Sequence, residues 1–234
     1  MMKKTAIMQP YFFPYIGYWQ LIDAVDEFLI YDDVNYIKGG WINRNNILLN
    51  SQKHLITLPL DGSSSFLHIN QIRTLGNKKN NEKIFKTIEQ AYKKAPYFND
   101  IAPIIQETIF HPSDKITDVI FYSIRRISEY LGINTKFILS SSLEKNEVLK
   151  GQDKVIHICK LLNTSQYINA IGGLDLYDKN AFSQEGISLC FLKTNDIKYK
   201  QFENEFVPGC SIIDVLMFND AKKIQGFLKD YTLI

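Results

Sequence analysis

The chain has 234 residues, of which 45% are hydrophobic, and its formal net charge is +2 at pH 7. This length and apolar content are enough for one α/β domain over residues 1–234 with a full core. Lysine and arginine are spread along the sequence, so it lacks the basic stripe typical of nucleic-acid-binding proteins. Gln9, Pro10 and Pro14 interrupt the apolar N-terminal stretch before it reaches the length of a signal peptide or membrane span. We therefore expect a cytoplasmic protein.

The N-terminal region has a βαβ pattern. Short apolar runs at residues 5–8 and 28–31 predict two strands of a parallel sheet, and residues 16–24 between them predict a helix. In open α/β sheets, ligands bind beyond the carboxyl ends of the strands. The segments 9–15 and 32–38 are therefore expected to lie at one binding edge.

The rest of the chain predicts further alternation of helices and strands. Residues 36–75 contain alternating segments with turn residues, which indicate an antiparallel hairpin insertion, and residues 77–131 form a helical segment in which Ser113 is a candidate N-cap and Gly132 a stop. The passages EYLGINTKFIL, CKLLNTSQYINA and SQEGISLCFL each end a helical pattern and begin a strand. We predict an α/β fold with about five parallel strands in a Rossmann-like sheet. A last helix is expected over residues 212–230.

An aromatic turn, QPYFFPYIGYW, follows the first predicted strand. Loops in this position commonly carry binding residues. The candidates for substrate binding are Gln9, Tyr11, Tyr15 and Tyr18, whereas Phe12, Phe13 and Trp19 are assigned to the core. The alternative interpretation is that the whole turn is a packed aromatic cluster whose polar groups are satisfied locally.

Two adjacent acids, Asp32 and Asp33, follow the second predicted strand. At the carboxyl end of a parallel strand, one of them is expected to point into the cleft. Adjacent carboxylates perturb each other, so one could act as a general base or bind a sugar hydroxyl or ammonium group. Asp32 and Asp33 are therefore the catalytic candidates. A solvated turn or a helix N-cap is the alternative.

The run NYIKGGWINRN supplies donors, acceptors, cations and stacking surfaces directly after these acids. Arg44 can bind a phosphate or carboxylate through two hydrogen bonds, Lys38 can act as a point charge, and Trp41 or Tyr36 can stack on a base or sugar. The same groups would also suit salt bridges that fasten the hairpin to the sheet. The substrate-binding candidates of this run are Asn35, Lys38, Asn43, Arg44 and Asn45.

A later segment, AIGGLDLY, places two glycines beyond a predicted strand. Glycines in this position let backbone amides approach an anion, although a pair of glycines is also common in tight turns. Gly172, Gly173, Asp175 and Tyr177 are further substrate-binding candidates. We expect Gln9, Tyr15, Asp32, Arg44 and Gly173 to line one common cleft. In the terminal CSIIDVL, Ser211 and Asp214 are interpreted as helix caps.

Cysteine and histidine provide no metal-binding pattern in the sequence. Cys159, Cys190 and Cys210 are far apart and odd in number, which favours core thiols over a disulfide framework or paired metal ligands. The four histidines show no metal spacing either. We expect no metal site.

Several motifs resemble one known family. MQPYFFPYIGYWQLI and FLIYDDVNYIKGGWINRN, followed by QYINAIGGLDLYD and FVPGCSIIDVL, resemble the WbqC-like proteins over nearly the whole chain. These proteins are found encoded among genes for bacterial O-antigen, a part of lipopolysaccharide, and for other surface polysaccharides. The resemblance implies a role in making or decorating sugars rather than one settled reaction.

A second resemblance concerns residues 15–18. YIGY resembles, in its position after a strand and a proline turn, the HxGH signature of nucleotidyltransferases and adenylate-forming α/β enzymes, where two histidines stabilise a nucleotide phosphate. Both histidine positions are tyrosine here. A tyrosine hydroxyl can donate a hydrogen bond to phosphate, but its pKa of about 10 means that it supplies no positive charge. No Gly-rich P-loop completes the pattern.

These observations support a functional hypothesis and two alternatives. The leading hypothesis is an enzyme of surface-polysaccharide synthesis that transfers an acyl or aminoacyl group onto a nucleotide-linked amino sugar. The alternatives are an adenylate-forming ligase or nucleotidyltransferase with the altered HxGH signature, and a non-catalytic nucleotide-sugar-binding or assembly protein. The expected partner is a small molecule rather than nucleic acid. The sequence names no cofactor and fixes no oligomeric state.

Overall fold

The computed structural model describes residues 2–203 and 205–234. Its strands and helices in chain order are β1 (Lys4–Met8), α1 (Ile16–Asp23), β2 (Glu27–Ile30), β3 (Arg44–Leu49), β4 (Gln52–Thr57), β5 (Leu60–Asp61), β6 (Arg73–Thr74), α2 (Lys78–Tyr92), α3 (Phe98–Ile109), α4 (Ile116–Leu131), β7 (Lys136–Leu139), α5 (Gly151–Leu161), β8 (Gln166–Ala170), α6 (Lys179–Gln184), β9 (Ser188–Thr194), α7 (Ile212–Phe218), α8 (Ala221–Leu228) and β10 (Tyr231–Leu233). Short 3-10 helices cover Ile69–Gln71, Ser140–Ser142 and Ile171–Leu176.

The main sheet of the described residues has the strand order β10-β9-β8-β1-β2-β7. The five strands from β9 to β7 run parallel, and β10 pairs antiparallel with β9. The prediction of about five parallel strands in a Rossmann-like sheet is therefore confirmed. Strands β2 and β7 lie on one side of β1, whereas β8 and β9 lie on the other. The boundary between β1 and β8 is thus the topological switch point, where open α/β sheets bind their ligands.

The central strands are buried on both faces because helices cover both sides of the sheet. Along β1 and β2, Ala6 pairs with Phe28 and Ile7 with Leu29. Since successive side chains point to opposite faces, the first pair packs into a larger core with α1, α4 and α8. The second pair packs into a smaller core with α5 and α6. The carboxyl ends of the parallel strands remain at one edge between these two layers.

The C-terminal region differs from the expected single helix over residues 212–230. Helix α7 ends at Phe218, α8 begins at Ala221, and β10 follows it. Asn219 has an extended backbone and donates a side-chain hydrogen bond to the Val215 carbonyl oxygen at 2.9 Å. Asp220 caps α8, because its Oδ1 accepts the Lys223 amide at 2.6 Å. These local hydrogen bonds compete with the helical ladder and divide the segment.

The inserted segments contain the expected hairpin and helices. Strands β3 and β4 form an antiparallel pair, as do β5 and β6, and α2, α3 and α4 follow. Gly132 ends α4 with a φ of 69°, as predicted. Ser113 does not occupy the N-cap position of α4, which belongs to Lys115; its hydroxyl accepts the Lys115 amide and donates to Asp118. Across residues 2–203 and 205–234, no helix is both long and apolar enough to cross a bilayer.

Candidate functional site at the carboxyl edge of the sheet

The aromatic turn at residues 9–15 is held in one conformation by neighbouring side chains. Asn45 Nδ2 donates to the carbonyl oxygens of Phe12 at 3.1 Å and Phe13 at 2.9 Å. Ser211 Oγ also donates to the Phe13 carbonyl oxygen, at 2.7 Å. Phe13 has a φ of 43°, which is unfavourable for a bulky residue and persists only where surrounding contacts impose it. The turn is therefore a preorganised feature and not a loose connection.

The interior of the turn is packed, as the sequence indicated. Phe12, Phe13 and Trp19 are fully buried, which confirms their assignment to the core. Tyr18 is also buried, and its hydroxyl donates to the Gln9 carbonyl oxygen at 3.0 Å. Burial raises the pKa of Tyr18 well above its ordinary value. The Tyr18 hydroxyl thus ties the end of β1 to α1.

An aromatic pocket opens on the outside of the turn. It has a volume of about 190 Å³, and its walls are formed by Tyr11, Pro14, Tyr15, Trp41, Asn45 and Gly209. Tyr15 is 42% exposed and Trp41 is 46% exposed. Exposed aromatic faces beside a concavity can stack on a sugar ring or a nucleobase. Tyr11, Tyr15 and Trp41 therefore form a surface suited to a planar or ring-shaped ligand.

Gly17 allows the Tyr15 ring to lie against the first turn of α1. A Cβ atom at Gly17 would lie only 2.5 Å from Tyr15 Cε2 and 2.5 Å from Thr194 Oγ1. Any side chain at this position would displace the ring or the end of β9. The glycine of the YIGY segment thus places Tyr15 beside the carboxyl end of β9, close to the switch point.

Asp32 and Asp33 have different partners although both are buried. Asp32 Oδ1 accepts the Ser141 amide at 2.9 Å, and its Oδ2 accepts the Ser141 hydroxyl at 2.6 Å. Asp33 Oδ2 instead forms an ion pair with Lys145, a residue of the segment after β7. Among the residues that the structure describes, Asp33 Oδ1 is buried without a hydrogen-bond partner. Asp32 is thus occupied by the chain itself, whereas Asp33 retains an unpaired oxygen.

The environment of Asp33 keeps its carboxyl group ionised. Burial by itself raises the pKa of Asp33, but the hydrogen bond and positive charge of Lys145 outweigh it, so the pKa lies below its ordinary value. The Ser140 hydroxyl also lowers the pKa of Asp33. Among the described residues, however, this hydroxyl does not meet the geometry of a regular hydrogen bond with the carboxylate. Lys145 is therefore the principal partner. Only 1% of its side chain is exposed, and its Nζ also donates to the Ser140 carbonyl oxygen at 2.5 Å.

A second lysine and a glutamate extend this ion pair into a cluster. Lys154 Nζ, from the first turns of α5, lies 3.1 Å from Glu147 Oε2 and 5.9 Å from the centre of the Tyr31 ring. Lys145 Nζ lies 3.7 Å from Glu147 Oε1. Glu147 thus bridges two buried ammonium groups while 65% of its own side chain is exposed. We call Asp33, Lys145, Glu147 and Lys154 the ionic cluster.

Two tyrosines connect the ionic cluster with the loop after β8. Burial raises the pKa of Tyr31, and the charge of Asp33 and the nearby Tyr177 raise it further. The Tyr177 ring packs edge-on against Tyr167, with 5.9 Å between ring centres. Burial also raises the pKa of Tyr177. The phenols of Tyr31 and Tyr177 are therefore neutral at physiological pH and can donate hydrogen bonds. Asp33 follows β2 and Lys145 follows β7, so the carboxyl ends of these two neighbouring strands meet at the ionic cluster.

The glycines of the β8 loop have different surroundings. Gly173 is buried, and a Cβ atom there would collide with Asn169 Nδ2 and lie 3.3 Å from Tyr177 Cε2. Gly172 is exposed, and a side chain there would meet no atom of the described residues within 4 Å. Asp175 is exposed on the same loop. Gly173 is thus required for close packing beneath Tyr177, whereas Gly172 is open to solvent.

The asparagines of the hairpin insertion brace the insertion and the aromatic turn. Asn43 Oδ1 accepts the Tyr36 hydroxyl at 3.0 Å, and its Nδ2 donates to the Leu58 carbonyl oxygen at 2.9 Å. Asn45 supports the aromatic turn. Both side chains are buried. Asn43 therefore braces the insertion internally, whereas Asn45 holds the aromatic turn.

The charged residues of the same run lie nearer to solvent. Arg44 Nε donates to the Gly40 carbonyl oxygen at 3.1 Å, and its Nη2 donates to that of Gly39. Asn35 and Lys38 are exposed. Arg44 therefore shapes the loop that carries Trp41. The structure does not bring Arg44 into contact with the ionic cluster among the contacts of the described residues.

Sequence reasoning did not identify Lys145 and Lys154. The carboxyl-end rule that led to Asp33 applies equally to β7, whose sequence KFIL was predicted as a strand. Applied there, the rule would have directed attention to the residues just after Leu139. Lys154 gave no such signal, because a lysine in a helical pattern usually faces solvent.

Among the described residues, the potential metal ligands and the cysteines do not have the arrangements that metal sites and reactive thiols require. Within residues 2–203 and 205–234, no three His, Cys, Asp or Glu side chains are grouped as metal ligands. Cys159 and Cys210 are buried and Cys190 is partly buried. Burial raises the pKa of Cys159 and of Cys210 to about 12, so neither thiol is a ready nucleophile at neutral pH.

The strand order, the switch point and the groups at its carboxyl edge define a Rossmann-like α/β protein with a candidate ligand cleft. Comparison with known proteins makes this class more specific. The chain belongs to the WbqC-like protein family, whose model matches residues 9–226. It is 29% identical over 233 residues to the uncharacterized protein Rv1507c of Mycobacterium tuberculosis, an alignment that covers 97% of this chain and 98% of that protein. No solved structure matches the chain.

Proposed function

We propose that this protein transfers an acyl or aminoacyl group onto the amine of a nucleotide-linked amino sugar during bacterial surface-polysaccharide (O-antigen) synthesis. The proposed location is the cytoplasm. The family resemblance suggests the sugar context, and the ionic cluster suggests the chemistry. Since a fold does not specify a reaction, the proposal depends on the residues at the site.

One observation carries the proposal, namely the unpaired oxygen of Asp33. A buried carboxylate oxygen without a hydrogen-bond donor costs free energy, so a donor supplied by a ligand would stabilise it. Asp33 is ionised, and it follows the carboxyl end of β2, the edge at which the ligand cleft is proposed. An amine is the natural complement of this oxygen, because it donates hydrogen bonds and carries positive charge when protonated.

Asp33 would act as a general base on the acceptor amine. In the proposed step, the neutral amine attacks the carbonyl carbon of an activated acyl donor and a C–N bond forms. The nitrogen then becomes positively charged and strongly acidic, so a carboxylate with a lowered pKa can still accept its proton. The donor's leaving group departs with its electron pair, and an amide remains. Lys145 keeps Asp33 ionised until this proton arrives, and Asp33 then has to release the proton before the next turnover.

The aromatic pocket would bind the ring portion of the substrate. Tyr15 and Trp41 offer exposed faces. Gln9, the first residue after β1, would contact the substrate in this proposal. Gly173 and Tyr177 would border the opposite side of the cleft. Tyr11 and the exposed Lys38 complete the rim in this proposal, whereas Asn45 acts by positioning the turn and Asn43 by bracing the insertion.

The ligand class can be identified before any reaction is assumed. A thermal-shift screen of UDP-, GDP- and dTDP-linked sugars, with ATP and acyl-CoA alongside, would reveal ligands through a higher melting temperature. We expect stabilisation by a nucleotide-linked amino sugar. If ATP alone stabilises the protein and pyrophosphate is released on turnover, the adenylate-forming alternative replaces the transferase.

The catalytic role of Asp33 is tested by Asp33→Asn in an acyl-transfer assay with the sugar found in the screen. We expect turnover to be lost while sugar affinity changes little, because the amide keeps the shape of the side chain but is not basic. Asp26→Asn is the matched control, since Asp26 is exposed at the opposite edge and accepts the Lys4 amide. Full activity of Asp33→Asn would exclude the proposed base. Ligand binding without turnover in the wild type would favour a binding or assembly protein.

A further inference from the structure

Glu147 holds an unusual position in the ionic cluster. Its carboxylate contacts two ammonium groups, at 3.1 Å from Lys154 Nζ and 3.7 Å from Lys145 Nζ. Both lysines are buried, with 10% and 1% of their side chains exposed. Glu147 is 65% exposed and lies in the segment between β7 and α5. The cations are thus fixed, whereas their shared anion is at the surface.

The charges of the cluster balance only while Glu147 is in place. Lys145 and Lys154 contribute two positive charges, and Asp33 and Glu147 contribute two negative charges. Among the described residues, Glu147 is the carboxylate within ion-pair distance of Lys154. If Glu147 moved outward, Lys154 would be a buried cation without a counter-ion, which is costly. Another anion would have to take its place.

We infer that Lys145 and Lys154 form a diphosphate-binding site, and that Glu147 occupies this site in the present structure. A diphosphate offers more acceptor oxygens and more negative charge than one carboxylate, so it can contact both ammonium groups at once. The inference names the phosphate-binding part of the proposed substrate site and rests on the proposed function for the choice of ligand.

The surroundings of the two lysines fit an anion. Lys154 belongs to the N-terminal part of α5, whose amide groups carry partial positive charge. No side chain of the described residues caps the first turn of this 11-residue helix. The centre of the Tyr31 ring lies 5.9 Å from Lys154 Nζ, and the raised pKa of Tyr31 keeps its phenol neutral, so the hydroxyl is available as a further hydrogen-bond donor. The site also adjoins Asp33, so a diphosphate bound there would place an attached sugar near the proposed base.

The test is a calorimetric titration of the full chain with inorganic pyrophosphate. We expect Glu147→Gln to bind pyrophosphate about tenfold more tightly than the wild type, because the competing carboxylate charge is removed. Lys154→Met should reverse this gain when added to Glu147→Gln. Lys154→Arg should preserve binding in the same background, which separates a loss of charge from a loss of folding.

The same helix supplies a matched control. Lys160 and Glu185 form an ion pair of 2.6 Å with both side chains about half exposed, so Glu185→Gln removes a comparable charge outside the cluster. We expect it to leave pyrophosphate affinity unchanged. An equal gain from Glu185→Gln would show that only net charge matters and would overturn the inference. Unchanged affinity in a folded Glu147→Gln variant would overturn it as well.

The outcomes separate this inference from the proposed function. Tighter pyrophosphate binding by Glu147→Gln, together with no acyl transfer from any donor, would support the site and reject the transferase. Acyl transfer that persists with an unchanged KM for the nucleotide-linked sugar in Lys154→Met would support the transferase and reject the diphosphate site.

Discussion

Two regions of the molecule bury an aspartate, and they do so in different ways. Asp33 lies at the carboxyl edge of the sheet and pairs with the ammonium group of Lys145. Asp214 lies in α7 and is fully buried. It accepts hydrogen bonds from the Tyr92 hydroxyl at 2.9 Å, the Tyr199 hydroxyl at 2.6 Å and Gln201 Nε2 at 2.5 Å. One carboxyl group is thus balanced by a charge and the other by neutral donors.

The two pKa values are shifted in opposite directions for this reason. Burial raises the pKa of Asp214, and its three hydrogen bonds lower it without outweighing burial. For Asp33 the charge of Lys145 outweighs burial, so its pKa falls. The charge of Lys145 thus outweighs burial at Asp33, whereas the three neutral donors do not outweigh the deeper burial of Asp214.

The difference also separates a structural acid from a candidate functional one. Both oxygens of Asp214 have partners on α2 or on the segment before α7, so the network joins these parts of the larger core. Asp33 has one oxygen without a partner among the described residues, and its cluster contains the exposed Glu147. Burial alone therefore does not distinguish the two roles. The two acids do differ in their hydrogen bonds, since both oxygens of Asp214 have donors and one oxygen of Asp33 does not.

The largest expected effect follows from breaking the charged pair. Lys145→Met leaves Asp33 as a buried charge without its partner, so we expect unfolding to become easier by about 3–5 kcal/mol. Urea denaturation at pH 7 measures this loss. Lys136→Met is the control, because Lys136 is 68% exposed and its partner Glu27 keeps Lys3. Equal losses in the two variants would contradict the special status of the Asp33 pair.

The neutral network is expected to give a smaller loss. The Tyr92 hydroxyl donates to Asp214 and accepts the Leu48 amide at 2.8 Å, so Tyr92→Phe leaves a buried N–H group unsatisfied. We expect a destabilisation of about 1–3 kcal/mol in urea denaturation. Tyr122→Phe removes a hydroxyl that donates to Glu107 at the surface and should change stability by less than about 0.5 kcal/mol. Equal unfolding free energies for Tyr92→Phe and Tyr122→Phe would show that the hydrogen bonds around Asp214 contribute little to stability.

The sequence predicted where these regions lie better than how they are connected. The strand patterns placed Asp32 and Asp33 at the carboxyl end of β2, and the passage EYLGINTKFIL predicted β7. That β7 is the neighbour of β2 depends on the register that pairs Ile30 with Leu139, which no local pattern encodes. The pairing of Lys145 with Asp33 therefore required the structure.

The same limitation applies to the aromatic turn and to α7. The sequence analysis correctly assigned Phe12 and Phe13, apolar residues of the aromatic turn, to the core. It could not show that Asn45 would hold their carbonyl groups. Ser211 caps α7 as predicted, because its hydroxyl accepts the Ile213 amide at 3.2 Å. Asp214 was interpreted as a cap too, yet it is the centre of the buried network, whose partners come from distant segments. Periodicity reports which face is buried and not which partner meets it.

Two tyrosine hydroxyls of the aromatic turn allow a similar comparison between a buried and an exposed group, with smaller expected effects on stability. The buried Tyr18 hydroxyl donates to the Gln9 carbonyl oxygen, so Tyr18→Phe should cost about 0.5–1.5 kcal/mol of stability. Tyr15 is 42% exposed, and Tyr15→Phe should cost less than about 0.5 kcal/mol while weakening binding of a nucleotide-linked sugar. Thermal unfolding with and without the sugar measures both effects. Equal stability losses in Tyr15→Phe and Tyr18→Phe would indicate that the aromatic turn has only a structural role.

The smallest expected effect is a difference in pH dependence between the two buried acids. The folded pKa of Asp33 is lowered, so its contribution to stability is present above its unfolded pKa and is lost as the pH falls through the folded value. The folded pKa of Asp214 is raised, so its contribution is present below its unfolded pKa and is lost as the pH rises through the folded value. The contribution of Asp33 is therefore lost at pH values below the ordinary aspartate pKa of about 3.9, and that of Asp214 at pH values above it.

Asp33→Asn and Asp214→Asn should consequently change the pH profile of unfolding in opposite senses. Relative to the wild type, Asp33→Asn should lose less stability as the pH falls below about 4, because the paired carboxylate no longer has to be protonated. Asp214→Asn should lose less stability as the pH rises above about 4, because no buried acid has to ionise. Urea unfolding from pH 3 to pH 7, with each variant compared to its own value near pH 4, measures these slopes independently of the packing cost of either substitution. If the unfolding free energies of the two variants, relative to the wild type, changed with pH in the same sense, Lys145 would not distinguish Asp33 from Asp214. The argument that the ionic cluster is the reactive region of the sheet edge would then fail.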